Sequence, residues 1–176
     1  MDKEAIVNLI EEKNSALIAW LERHDNEKWL EGPNNKWTTG QHALHLLQSI
    51  KPLNNALSLP KVLLRYKYGT NNREVRDYDT VVKRYKERLS NVKEGATFKA
   101  SRNMKVPSIK EKAYLLNRLQ VESKKLQYKT RKISDEQLDH LILPHPLMGK
   151  MPVREIIMWT AHHIEHHTNT LKEKYK

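Results

Sequence analysis

Residues 152–174 read PVREIIMWTAHHIEHHTNTLKEK, and four of the chain's nine histidines stand within six positions of it, as His162, His163, His166 and His167. Proline suits a first helical turn, and neither glycine nor a second proline interrupts the residues after it, so the segment from Pro152 to about Lys174 reads as one helix. Residues four apart share a helix face, so His163/His167 or His162/His166 can each bind one metal ion as a pair. The apolar pattern separates the two pairs. At about 100° per residue, with His163 at 0°, Val153, Ile156, Thr160, Ile164 and Leu171 fall between roughly 20° and 100°. His167 lies at about 40°, while His162 and His166 lie near −100° and −60°. His163 and His167 therefore edge the buried face, and His162 and His166 are expected on the polar side, as secondary candidates. Glu165, near 200°, is too far round to act at the same metal.

Two imidazoles make a poor site, and helical folds complete such sites from a facing helix. The best second segment is Trp37–Leu46, WTTGQHALHL. Thr38 and Gln41 form a T-x-x-Q capping box that opens a helix there. Its apolar stripe runs through Ala43, Leu46, Leu47, Ile50, Leu53 and Leu57, and both His42 and His45 flank it. Periodicity alone does not choose between them.

These two segments resemble the DinB-like family of metal-binding four-helix bundles. The resemblance rests on Trp37, Thr38, Gln41, His45 and Leu46, on His145-Pro146-Leu147-Met148-Gly149, and on His163, His167 and Leu171. It departs from the family pattern at Thr170, where glutamine is frequent, and at His42, where an apolar residue is usual. The resemblance selects His45 as the third ligand beside His163 and His167, and leaves His42 and Gln41 as secondary candidates. It implies a divalent metal, with zinc and nickel both suited to imidazole. It also implies enzymes that transfer low-molecular-weight thiols, or hydrolases acting on a small-molecule substrate.

The rest of the chain agrees with an all-α fold. Helical spacing marks 3–24, 39–58, 108–131 and 152–174, with Pro52 able to kink the second and a Ser108-x-x-Glu111 capping box opening the third. Each is long enough for a bundle of roughly 30–35 Å. A short extra helix is expected over 79–92, a long loop over 93–107, and a turn from Ser134-x-x-Gln137; no segment reads as a strand. At 176 residues the expectation is one DinB-like domain over 1–176, a four-helix bundle with the short helix and loop between its second and third main helices.

Composition narrows the chemistry. There is no cysteine, which excludes disulfides, thiolate metal sites and a cysteine nucleophile. The N-terminus lacks a signal-peptide pattern and no apolar run spans a bilayer, so a cytoplasmic protein is expected. HExxH, Gly-rich phosphate loops and G-x-S-x-G are absent. Residues 61–132 hold 21 Lys+Arg against 7 Asp+Glu, a net of +14, while the remainder holds 11 against 14, a net of −3. Such a segment is usually a solvated face. No recognition motif accompanies it, so specific nucleic-acid binding is not expected, although Tyr66, Tyr68, Tyr78 and Tyr85 interleave with its charges. The leading reading is a metal-dependent thiol S-transferase or hydrolase, with a homodimer as a candidate assembly. The alternative is a non-enzymatic basic binding protein for nucleic acid or an anionic surface, its histidines a structural or vestigial cluster. Free imidazoles titrate near ~6.5, so metal-dependent activity is expected to fall below about pH 6.

Overall fold

In the computed structural model, residues 1–24, 26–92 and 104–175 are described, the side chain of Asn35 excepted. They form helices α1 (Lys3–Arg23), α2 (Asn26–Leu30), α3 (Thr39–Ser58), α4 (Lys61–Tyr68) and α5 (Tyr78–Ser90). After these come α6 (Lys112–Lys132), α7 (Asp135–His140), strands β1 (Ile142–His145) and β2 (Gly149–Pro152), and α8 (Val153–Lys174).

The four long helices are those that the apolar periodicity marks. Their starts follow capping chemistry. Asp2 accepts from the Ala5 amide ahead of α1, and Thr38 and Gln41 form the reciprocal box ahead of α3. Ser108 and Glu111 do the same ahead of a single 3-10 turn, Ile109–Glu111, that leads into α6. Around the bundle, α1 packs on α6 and α8, and α3 packs on α6 and α8. The α3–α8 seam is antiparallel: as the chain runs from His163 through His167 to Tyr175, its partners on the other side run back from His45 through His42 to Trp37. Pro52 does not break α3. The carbonyl that loses its donor belongs to Gln48, and both residues are on the exposed side of the helix, where the loss costs least.

Three features differ from the sequence expectation. Helices α2 and α4 are too short for periodicity to register. Residues 142–152, read as strandless, form an antiparallel ribbon pairing Ile142 with Pro152 and His145 with Gly149. Its three-residue turn relies on Gly149 at φ +76, a left-handed conformation that glycine adopts freely. The His145 ring closes it, Nδ1 accepting from the amides of Leu147 at 3.1 Å and Met148 at 2.9 Å. The expected loop over 93–107 falls mostly on 93–103, outside the described residues.

Helix α8 is buried almost all round. Every residue from Val153 to Ile164 is buried, because α5 covers the Trp159 and His162 side of the helix, beside the face that meets α3, and the ribbon covers the first turns. The 70–77 connection that carries the chain to α5 is pinned by the Glu155 carboxylate. Glu155 accepts from both terminal nitrogens of Arg73, at 2.6 and 2.7 Å, and from the Arg76 amide and guanidinium at 2.8 and 3.2 Å. These contacts hold its pKa below the ordinary value despite burial. No helix of the described residues is long and apolar enough to cross a membrane.

Gly40 shows how closely α2 seats on the start of α3. A Cβ there would stand 2.9 Å from both Cε2 and the carbonyl oxygen of Trp29, a buried side chain whose indole donates to the Ser108 carbonyl at 3.2 Å. Helix propensity alone would favour alanine. Gly40→Ala is nevertheless expected to destabilise the fold, by about 1–3 kcal/mol, because the indole and its backbone must shift together. Urea unfolding measures it, and an unchanged or raised midpoint would contradict the packing.

Candidate metal centre

The seam between α3 and α8 brings together the rings that the sequence marks. His45 Nε2 lies 3.2 Å from His163 Nε2, and His167 Nε2 lies 3.1 Å from that same nitrogen. The ligand atoms of the three residues all lie within 4.8 Å of one another, so this group could hold a metal ion. Ligands at ~2.1 Å from a tetrahedral centre stand about 3.4 Å apart, close to the spacing seen. His163 and His167 are buried, and His45 is half-buried. A cation there would take one lone pair from each ring, and no carboxylate joins the group among the described residues.

Aromatic rings wall the group. The Trp37 ring lies parallel to that of His167, with centroids 6.2 Å apart, and tilts over His45 at 5.0 Å. Trp159 stacks on His163 at 4.5 Å. His145 meets Trp159 edge-on at 4.2 Å, which connects the ribbon's turn to the wall of the site. The His163 Nδ1 and His145 Nε2 atoms are buried with no hydrogen-bond partner.

The secondary candidates separate into distinct roles. His42 is buried and stays out of the ligand group, but its Nδ1 lies 2.8 Å from Nδ1 of His167, on the side of that ring away from the cluster. Both polar ends of Gln41 are engaged elsewhere: its Oε1 accepts from the Thr38 amide at 2.9 Å and its Nε2 donates to the Met104 carbonyl at 2.8 Å. His162 and His166 do point away from the cluster, as the wheel indicates, but the expected polar side is wrong for His162. It is buried beneath α5, its ring 5.8 Å from that of Tyr85 and its Nδ1 3.5 Å from Glu165. A wheel gives the direction of a side chain and says nothing of a fifth helix laid over it. Glu165 pairs with Lys13 at 2.9 Å. Tyr85 is buried against Trp159 and His162, so it does not offer a stacking face, whereas Tyr66 is 88 % exposed.

Electrostatics keep the rings neutral. Burial, and then the neighbouring His45, hold His42 down at about 3; burial, and then His166, hold His45 at about 4. His163 and His167, more deeply buried, lie well below the usual value for the same reason. Burial alone brings His145 to about 4. Neutral imidazole is the form that binds metal, so the folded protein keeps its ligands competent far below the pH at which free histidine charges.

The DinB superfamily profile matches residues 9–171, and the chain belongs to that superfamily. No curated protein and no solved structure matches it.

These depressed values link stability to pH. A histidine held below its unfolded pKa of ~6.5 stabilises the fold fully above that pH, and the contribution is lost as the unfolded chain takes up protons on acidification. Each such ring costs ~1.4 kcal/mol per pH unit until its folded pKa is reached, here about 4 for His45 and about 3 for His42. The unfolding free energy of metal-free protein should therefore be level between pH 8 and 7.5. It should fall between pH 6 and 5 by more than one ring's worth, ~1.4 kcal/mol. Denaturant titrations across that range check it, and a level profile would mean that the rings are not held neutral.

Proposed function

We propose that the chain is a metal-dependent enzyme in which His45, His163 and His167 hold one divalent ion, with transfer of a small-molecule thiol as the reaction. The observation that carries this reading is the convergence of three neutral imidazole Nε2 atoms from two antiparallel helices, with no fourth protein donor among the described residues. Three nitrogen ligands with an open position are the pattern of a working site, whereas structural zinc sites are closed by four. Zinc and nickel both suit the donor set. Bound there, the ion would lower the pKa of a thiol or a water molecule at the open position.

The chain's own residues favour the thiol over water. The carboxylates nearest in sequence to the α8 ligands are committed to cations. Glu165 pairs with Lys13, and Glu155 with Arg73 and Arg76. The buried Glu122, on α6, pairs with Arg118 and Lys125. None is left as a general base among the described residues of the cluster, and a thiol, with a pKa near ~8.5, needs less help to ionise than water. His163 and His167 are fixed by packing on Trp159 and Trp37. His45, the half-buried member, stands on the side from which a substrate would arrive. Hydrolysis of a small substrate at the same position is the second arm of the reading. The alternative as a basic binding protein is weakened by the use of several cations of 61–132 inside the fold, among them Arg73, Arg76, Arg118 and Lys125.

Elemental analysis of protein purified without a polyhistidine tag should give about one divalent ion per chain. His163→Ala and His45→Ala should abolish it, and His166→Ala, outside the group, should retain it. Because burial holds all three folded rings below the ordinary histidine value, affinity should stay level from pH 8 to about 6 and weaken only on further acidification, later than free histidine would allow. Thiol-transfer and ester-hydrolysis screens with and without metal then decide between the two arms. Equal metal content in all three variants would sink the assignment.

A further inference from the structure

His42 takes part in a hydrogen-bonded chain that begins at the other end of the seam. The Tyr175 hydroxyl donates to the Trp37 carbonyl in a very short contact. That uses its one proton, so toward His42 Nε2, 3.3 Å away, the Tyr175 oxygen can only accept. His42 Nε2 must therefore carry the ring's proton, which leaves His42 Nδ1 as an acceptor. Opposite it, at 2.8 Å, stands His167 Nδ1, which must then be the donor. With its proton on Nδ1, His167 presents a bare lone pair at Nε2, the atom that faces His163 Nε2 at 3.1 Å.

We propose that His42 and Tyr175 are positioning residues that set the tautomer and ring orientation of the metal ligand His167, in effect a relay running from the Trp37 carbonyl to the metal position. The direction of every bond follows from one fact, that the tyrosine has a single proton and a closer acceptor for it. The partner of a ligating imidazole is usually a carboxylate, a carbonyl or a water. Here a second histidine fills that place, and the backbone carbonyl acts two bonds further back. His163 lacks any such partner among the described residues, where its Nδ1 is buried and unpaired. The two α8 ligands are thus unequal: hydrogen bonds lock His167, whereas His163 is held by stacking on Trp159. The relay also ties the last turn of α8 to the residue preceding Thr38, the N-cap of α3, so the seam closes over the site at the end where both His42 and His167 sit.

This rests on the three-histidine metal site of the proposed function, yet its first test needs no metal. Long-range proton–nitrogen correlation spectra of metal-free protein, labelled at histidine nitrogens, report which ring nitrogen of each histidine is protonated. In the wild type His167 should show the Nδ1–H form and His42 the Nε2–H form. Tyr175→Phe, which keeps the ring and removes the acceptor, should shift both toward mixtures. The second readout is zinc affinity by competition with a chromophoric chelator. His42→Phe should weaken it by about 10- to 100-fold, the range usual for loss of a ligand's outer partner. Tyr175→Phe should weaken it less. His42→Gln, whose amide can accept from His167 and donate to Tyr175, should restore most of the loss. A purely structural role would lower the unfolding midpoint of these variants without moving tautomer or affinity. His167 protonated at Nε2 in the wild type, or affinities within twofold of wild type in both His42→Phe and Tyr175→Phe, would overturn the relay. Should the wild type bind no zinc, the metal site fails, and the tautomer spectra alone decide the relay.

Discussion

Helix α8 has almost no solvent face, and the rest of the structure answers to that constraint. A helix buried all round needs a cover on every side. Here α1 and α3 supply two sides, α5 the third, and the β1–β2 ribbon the first turns. It also needs every polar group on it matched. Glu155 is matched by Arg73 and Arg76, Arg154 by Asp135 and Asp139, and Thr160 and Thr168 by carbonyls of their own helix. Among the described residues, half of the buried polar side-chain atoms left without a hydrogen-bond partner belong to imidazoles: Nε2 of His145, both ring nitrogens of His162 and Nδ1 of His163. Buried polar groups without partners are expensive and usually mark a functional demand. At the seam that cost falls on His163 Nδ1, the nitrogen turned away from the Nε2 atoms that meet between the two helices.

How much of this could be read from the chain depends on the length of the signal. The long helices carry their faces in several turns of apolar periodicity, and their caps are spelled out by Thr38–Gln41 and Ser108–Glu111. Helices α2 and α4, at 5 and 8 residues, are too short to show a period, and they exist because Trp29 and Leu64 bury themselves against the bundle. The ribbon was hidden for another reason. Its strands have four residues each and contain prolines at 144 and 152, which count against a strand unless the strand is an edge. The sequence did carry a signal for it in His145 followed by Gly149, which the turn uses as a side-chain acceptor and a left-handed residue.

The site was legible in direction but not in division of labour. Periodicity sets both His42 and His45 beside one apolar stripe, with His42 slightly nearer its centre, and does not choose between them. The structure uses both, one as a member of the cluster and the other behind it, and that distinction depends on Tyr175, which lies 133 residues away from His42 in sequence. The same limit explains His162. Its angular position was right, but its burial depends on Tyr85 of α5. Gln41 stays out of the site because its amide serves the capping box at one end and the Met104 carbonyl at the other, and the second partner lies 63 residues away.

A site built only of neutral imidazoles has a consequence for the chemistry that suits it. Carboxylate ligands would offset part of a divalent ion's charge; His45, His163 and His167 offset none. The depressed pKa values are the protein's half of that arrangement, since burial that disfavours imidazolium equally disfavours any uncompensated positive charge at the seam. An occupied site would therefore draw an anion from outside the protein to its open position. A small thiol is well matched to this role, because it is close to ionising at neutral pH and brings with it the negative charge that the ligand set withholds. The chain has no cysteine to provide that group internally. His45, beside Trp37, is the least buried of the three ligands and so the one a neutralising partner would meet first, while the relay behind His167 and the Trp159 ring behind His163 keep the other two ligands from turning to meet it.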